Sequence, residues 1–132
     1  MIPLNLELLP NRLAVYRLPA DQPVPPWAQA GAFTSVTRTA RELSVVCAEV
    51  CADDLGPEGT KCEPGWRIFE VEGPLDFSLT GILAAIAGPL AEAGVSIFAL
   101  STLDTDYVMV KEENLPKACD ALRAAGHSVR QR

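Results

Sequence analysis

Residues 73–82 read GPLDFSLTGI, and they place two glycines, a proline, an aspartate and two hydroxyl side chains directly ahead of an apolar run. A plain connection needs less. The free backbone N–H groups at a helix start, aided by the helix dipole, suit an anion such as a carboxylate. Leu79, Thr80, Gly81 and Ile82 offer such groups, and Gly81 has no side chain to keep a ligand from the backbone. Ser78 and Thr80 add hydroxyl donors. Further along, Asp104 and Asp106 in STLDTDY supply acceptors for an ammonium. Each residue also has an ordinary role: Gly73-Pro74 as a tight turn, Ser78 as a cap, Asp104 and Asp106 as hairpin residues.

The surrounding elements decide whether these residues can meet. WRIFEVE, residues 66–72, is a strand after the turn signal Glu63-Pro64-Gly65. Leu79, Ile82, Leu83, Ile86 and Leu90 recur at helical spacing, with Ser78 or Thr80 as N-cap and Gly94 just past the end. Pro89 inside that pattern predicts a kink or an early last turn. VSIFAL (95–100) and DYVMVK (106–111) read as strands around a short turn. Asn114-Leu115-Pro116 opens a second helix, Gly126 ends it, and residues 127–130 form a last short strand. The order β-α-β-β-α-β is the ferredoxin-like arrangement, an antiparallel sheet with both helices on one face. VSIFAL and YVMV have little polar alternation, so both faces of this sheet need cover.

The first half repeats the scheme in eroded form. Residues 4–8, 13–18, 32–37 and 43–48 read as strands, with one helical turn after Pro25-Pro26 and a short helix over 48–54. The fold class is therefore α+β, with two ferredoxin-like modules of which the first, 1–61, is degenerate and the second, 62–132, is regular. Neither is large enough to be comfortable alone, which predicts a shared sheet or core. Trp27 and Trp66 read as core or interface aromatics.

A net charge of −6 argues against nucleic acid and anionic membrane as partners. The opening ten residues lack a basic secretory start, and the apolar stretch 82–100 is broken by Gly88, Pro89, Glu92 and Gly94, which places the chain in the cytoplasm. Cys47, Cys51, Cys62 and Cys119 do not have zinc spacing, so no metal is expected; they read as small buried thiols, with a Cys47–Cys51 redox pair as the alternative. GPEGTK is not a phosphate loop, no G-x-S-x-G elbow exists, and the only histidine, His127, has no evident nucleophile beside it. Neither an enzyme nor a cofactor is expected.

The run FSLTGILAAIAGPLAEAGVSIFALSTLDTDYVMVKEENL, residues 77–115, resembles the ACT-domain family, and within it the modules of the CASTOR arginine sensors and of short bacterial tandem-ACT proteins. FTSVTRTARELSVVC, residues 33–47, is similar to the first module of those bacterial relatives. The resemblance implies a regulatory module that binds a small molecule, usually an amino acid, between paired modules and has no catalysis of its own. It implies a homodimer whose output passes through another protein or through assembly. The competing readings are an interaction module that has lost its ligand and a small enzyme.

Overall fold

The computed structural model describes residues 3–50, 56–73 and 81–132. In chain order these hold β1 (Asn5–Leu8), β2 (Leu13–Leu18), a 3-10 turn (Pro26–Gln29), β3 (Ser35–Arg38), β4 (Leu43–Ala48), β5 (Lys61–Val71), α1 (Ile82–Glu92), β6 (Ile97–Ser101), β7 (Asp106–Lys111), a second 3-10 turn (Glu112–Asn114), α2 (Leu115–Ala124) and β8 (Ser128–Gln131). The class is α+β with tandem ferredoxin-like modules, as expected. The helix expected over 48–54 falls largely outside the described residues; Ala48 itself ends β4.

The chain divides into Asn11–Trp66 and a C-terminal unit that joins Arg67–Arg132 to Met1–Pro10. This division differs from the expected boundary at 61/62. β1 is the reason: it pairs antiparallel with β5, Leu6 opposite Val71, and parallel with β8, Asn5 opposite Ser128. The C-terminal unit thus has the strand order β6-β7-β5-β1-β8, with β1 standing between two strands that a plain ferredoxin-like module would pair directly. Leu4, Leu6 and Leu8 of this insert are buried with Phe69, Val71, Ile86, Leu90, Val108, Val110 and Leu122 in an apolar core beneath the helices.

α1 starts later than the stripe suggested. Gly81, at φ +79°, is the residue at its N-terminus, in place of the expected Ser78 or Thr80 cap. Ile86 and Leu90 are fully buried, whereas Leu83 is 37% exposed and leaves the inner face. Pro89 does not end the helix, which continues to Glu92 and closes on Gly94 at φ +75°. In α2, Ala118 and Leu122 form the buried face.

The N-terminal unit has the order β3-β4-β2-β5, the ferredoxin-like order with its first helix reduced to the 3-10 turn. Ala14, Tyr16, Leu18, Leu43, Val45 and Cys47 pack under that turn with Ala28 and Trp27. β5 begins at Lys61, well before the expected Trp66. The Glu63-Pro64-Gly65 signal is a bulge in place of a turn: pairing with β2 passes from Val15 opposite Glu63 to Leu13 opposite Trp66, so β5 carries one extra residue. Gly65 supplies the left-handed conformation at φ +81°, and its N–H donates to the Glu49 carboxylate at 2.8 Å. Proline is tolerated at such a bulge because no ladder bond is required of it.

The cysteines differ from one another. Cys47 and Cys119 are free thiols, with Cys47 fully buried, and burial pushes both up from the ordinary thiol range. That removes Cys47 from the redox pairing. Cys62 is disulfide-bonded, which corrects its reading as a buried thiol. Cys51 lies outside the described residues.

Candidate functional site

Of GPLDFSLTGI, the described residues include Gly73, Gly81 and Ile82; Ser78, Leu79 and Thr80 lie outside them. The two glycines mark where β5 hands over to α1. At α1 the first turn begins with Gly81, and the Ala85 N–H donates to the Gly81 carbonyl at 2.9 Å. Among the described residues no side chain caps it, and among them a Cβ at Gly81 would meet no atom within 4 Å. Its φ of +79° gives this position a backbone reason to be glycine that the reading of it as an open approach did not contain.

The β6–β7 hairpin brings its turn to the end of β5. Thr105 is 8% exposed and its hydroxyl donates to the Val71 carbonyl at 2.6 Å. Thr102 steadies the turn, donating its N–H to the Thr105 carbonyl at 2.9 Å and receiving the Thr105 N–H on its hydroxyl at 3.3 Å. Glu70, Val71, Gly73, Asp104, Thr105 and Tyr107 line an open depression of about 400 Å³ at this edge. Asp104, exposed in the turn, is the expected acceptor that reaches it.

Asp106 is placed differently. It shares the core-facing side of β7 with Val108 and Val110, because side chains alternate along a strand. The Ser101 hydroxyl donates to its Oδ1 at 2.7 Å. The expected pair of acids is thus divided between the depression and the helix-covered face of the sheet.

Glu70, Thr105 and Tyr107 of the depression were not anticipated, nor was Val71. Thr105 anchors the turn. The Tyr107 hydroxyl donates to Glu70 Oε2 at 2.8 Å, and burial together with this carboxylate pushes it up to about 12. Glu70 also accepts from Arg132 at 2.9 Å, and Arg132 bonds both oxygens of Glu7, at 2.9 and 3.0 Å. Glu7 and Glu70 stand opposite each other in the β1–β5 ladder, so the guanidinium neutralises a like-charge pair. The only signal for this group in the sequence is alternation along each strand; which strands meet is a tertiary matter. Among the described residues no group of three or more metal-ligating side chains comes together.

The ACT domain model matches residues 61–124, and a second model, for an N-terminal domain, matches residues 11–54. Residues 61–124 belong to the ACT-domain family. The ACT module is similar to the cytosolic arginine sensor for mTORC1 subunit 1 of Homo sapiens, at 39% identity over 59 residues, which are 44% of this chain and 18% of that protein. The chain therefore spans less than a fifth of the curated relatives it matches. Over its full length it superposes on the crystal structure of an Agobacterium tumefaciens protein with a TM-score of 0.86 at 37% identity, covering 96% of that chain. The regulatory subunit of aspartate kinase from Thermus thermophilus shares the tandem ACT fold at a TM-score of 0.59 and 16% identity, over 88% of this chain and 93% of that one. No helix among the described residues is long and apolar enough to cross a membrane.

Proposed function

We propose that the chain is a regulatory ligand-binding module, without catalysis of its own, that takes an amino acid at the edge where β5 hands over to α1. The observation that carries this is the depression framed by Gly73 and the 102–105 turn, with exposed Asp104 on its rim, in an ACT module related to an arginine sensor. The connection from Gly73 to Ile82 receives the ligand carboxylate, with the N–H groups of Leu79–Ile82 and the hydroxyls of Ser78 and Thr80 as donors. Asp104, the one of the two expected acids that lines the depression, takes the ammonium. A thermal-shift screen of the twenty amino acids tests the reading, since a ligand at a hundred times its Kd stabilises the folded state by about 2.7 kcal/mol. Asp104→Asn should then weaken the identified ligand by about 1.5–3 kcal/mol, the worth of a charge-assisted bond. If no amino acid shifts the melting point at millimolar concentration, the ligand reading fails.

A homodimer belongs to the same proposal. Among the described residues β6 pairs with β7 only, at one edge of the C-terminal unit's strand order, and its Phe98 and Leu100 are half-buried. A second copy laid against that edge would complete the sheet. Sedimentation giving a monomer mass at high micromolar concentration refutes this. The cytosolic relative supports a cytoplasmic location; the disulfide at Cys62 weighs the other way, because cytosolic disulfides are rare. Thiol labelling in intact cells decides it.

A further inference from the structure

Pro89 lies inside α1 and has no N–H, so the Ala85 carbonyl four residues before it loses its intrahelical partner. A part-buried carbonyl left that way is costly unless another donor reaches it. One does. His127, in the turn between α2 and β8, is 3% exposed, and its Nε2 stands 2.9 Å from the Ala85 oxygen. On the far side of the ring, the Leu4 N–H donates to Nδ1 at 3.0 Å. A backbone N–H can only donate. Nδ1 is therefore the acceptor nitrogen, and the ring's single proton sits on Nε2, pointing at Ala85.

We propose that His127 is a latch locked in one tautomer: the neutral ring, protonated on Nε2, replaces the backbone bond that Pro89 removes and fastens the first turn of α1 to the start of β1. The ring is itself held in place, since the His127 N–H donates to the Leu122 carbonyl at 3.1 Å and Ser128 donates to the Leu4 carbonyl at 2.9 Å. Residues 4, 85 and 127, from three separate parts of the chain, thus meet at one imidazole. Proline and histidine form a matched pair. With alanine at 89 the Ala85 carbonyl regains a backbone donor, and the Nε2 proton becomes redundant. The position of α1, whose first residue Ile82 closes the 73–82 connection, is set partly by this ring. The latch stands whether or not that connection binds a ligand.

Two measurements test it. Long-range ¹⁵N–¹H correlation on the unmodified protein at neutral pH should find the His127 proton on Nε2 alone; a proton on Nδ1 overturns the proposal without any variant being made. Urea unfolding of His127→Ala, Pro89→Ala and the double variant should then show strong coupling. His127→Ala lowers the midpoint markedly beside Pro89 and much less beside alanine at 89. Equal losses in the two backgrounds mean that the ring does not stand in for the missing helical bond. Should His127→Ala fail to fold, His127→Leu, which fills the space without a donor, serves in the same cycle, and the tautomer measurement remains decisive.

Discussion

The two units arrange strands in related orders and cover them by different means. The C-terminal unit lays two helices over its sheet and fills the space with aliphatic side chains and one aromatic, Phe69. The N-terminal unit has a four-residue 3-10 turn where the other has α1. Its cover comes from large rings: Trp27 stands against Tyr16 with centroids 4.6 Å apart at 55°. Tyr16 is 1% exposed, and its hydroxyl accepts the Val50 N–H at 3.0 Å, so the polar end of the ring is satisfied inside the unit. A ferredoxin-like strand order survives the erosion of its first helix when an aromatic pair occupies the place the helix would fill.

The sharpest way to break this comparison is to empty each core. Phe69→Ala should cost about 3–5 kcal/mol, measured by urea unfolding, because the ring is fully buried. Trp27→Ala should cost less, about 2 kcal/mol, because Trp27 is only half-buried. A larger loss at Trp27 would reverse the ranking of the two covers.

The glycines sharpen it at the next level. Gly81 and Gly65 have nearly the same φ, +79° and +81°. Alanine at either position pays the left-handed penalty, about 1–2 kcal/mol. Gly81→Ala should cost no more than that, since its Cβ meets none of the described residues within 4 Å, whereas a Cβ at Gly65 meets the Arg12 guanidinium at 3.3 Å and disturbs its ion pair with Glu49. Melting temperatures of the two variants compare them; equal losses would mean that the bulge tolerates a side chain. Smaller still, Tyr16→Phe should cost about 1 kcal/mol by removing the acceptor of the Val50 N–H.

The smallest effect is electrostatic. Arg132, bonded to the Glu7 carboxylate, holds it below its ordinary 4.5. A carboxyl depressed in the folded state adds stability above its unfolded value, and that stability is lost as pH falls through the folded value. Arg132→Ala should therefore be slightly less stable than the wild type at pH 7, and the gap should close below pH 4.5 and shrink in high salt. A gap that persists at pH 3 would assign the loss to packing.

Much of the fold was legible because its signals are local. Helical spacing at Ile82, Ile86 and Leu90 and the apolar run of β7 identify the C-terminal layers directly. The misreadings have local causes as well. Proline beside glycine at 64–65 signals a turn, yet the same chemistry suits a bulge, and only the pairing with β2 distinguishes them. The stripe at Leu79, Ile82 and Leu83 placed the start of α1 too early, because apolar spacing does not register a left-handed glycine at 81. The insertion of β1 between β5 and β8 depends on contacts more than a hundred residues apart, such as Ser128 Oγ donating to Asn5 Oδ1 at 2.7 Å, and no window of sequence carries it. Asp104 was legible as a hairpin carboxylate; Thr105 and Tyr107 were not, because their roles depend on which strand lies beside them.

The inserted β1 determines how this chain can be cut and rejoined. A fragment of residues 62–132 would leave β5 and β8 without the neighbour they share, and should be insoluble or unfolded by itself. A circular permutant that opens at Arg67, runs to Arg132, crosses a linker to Met1 and closes after Pro10 gathers the whole C-terminal unit into one uninterrupted polypeptide. Because β8 and β1 run parallel, that linker has to travel back along the full length of a strand, which calls for about a dozen residues. Such a permutant would make the larger half of the molecule a portable domain, free to be fused, displayed or screened apart from its smaller companion.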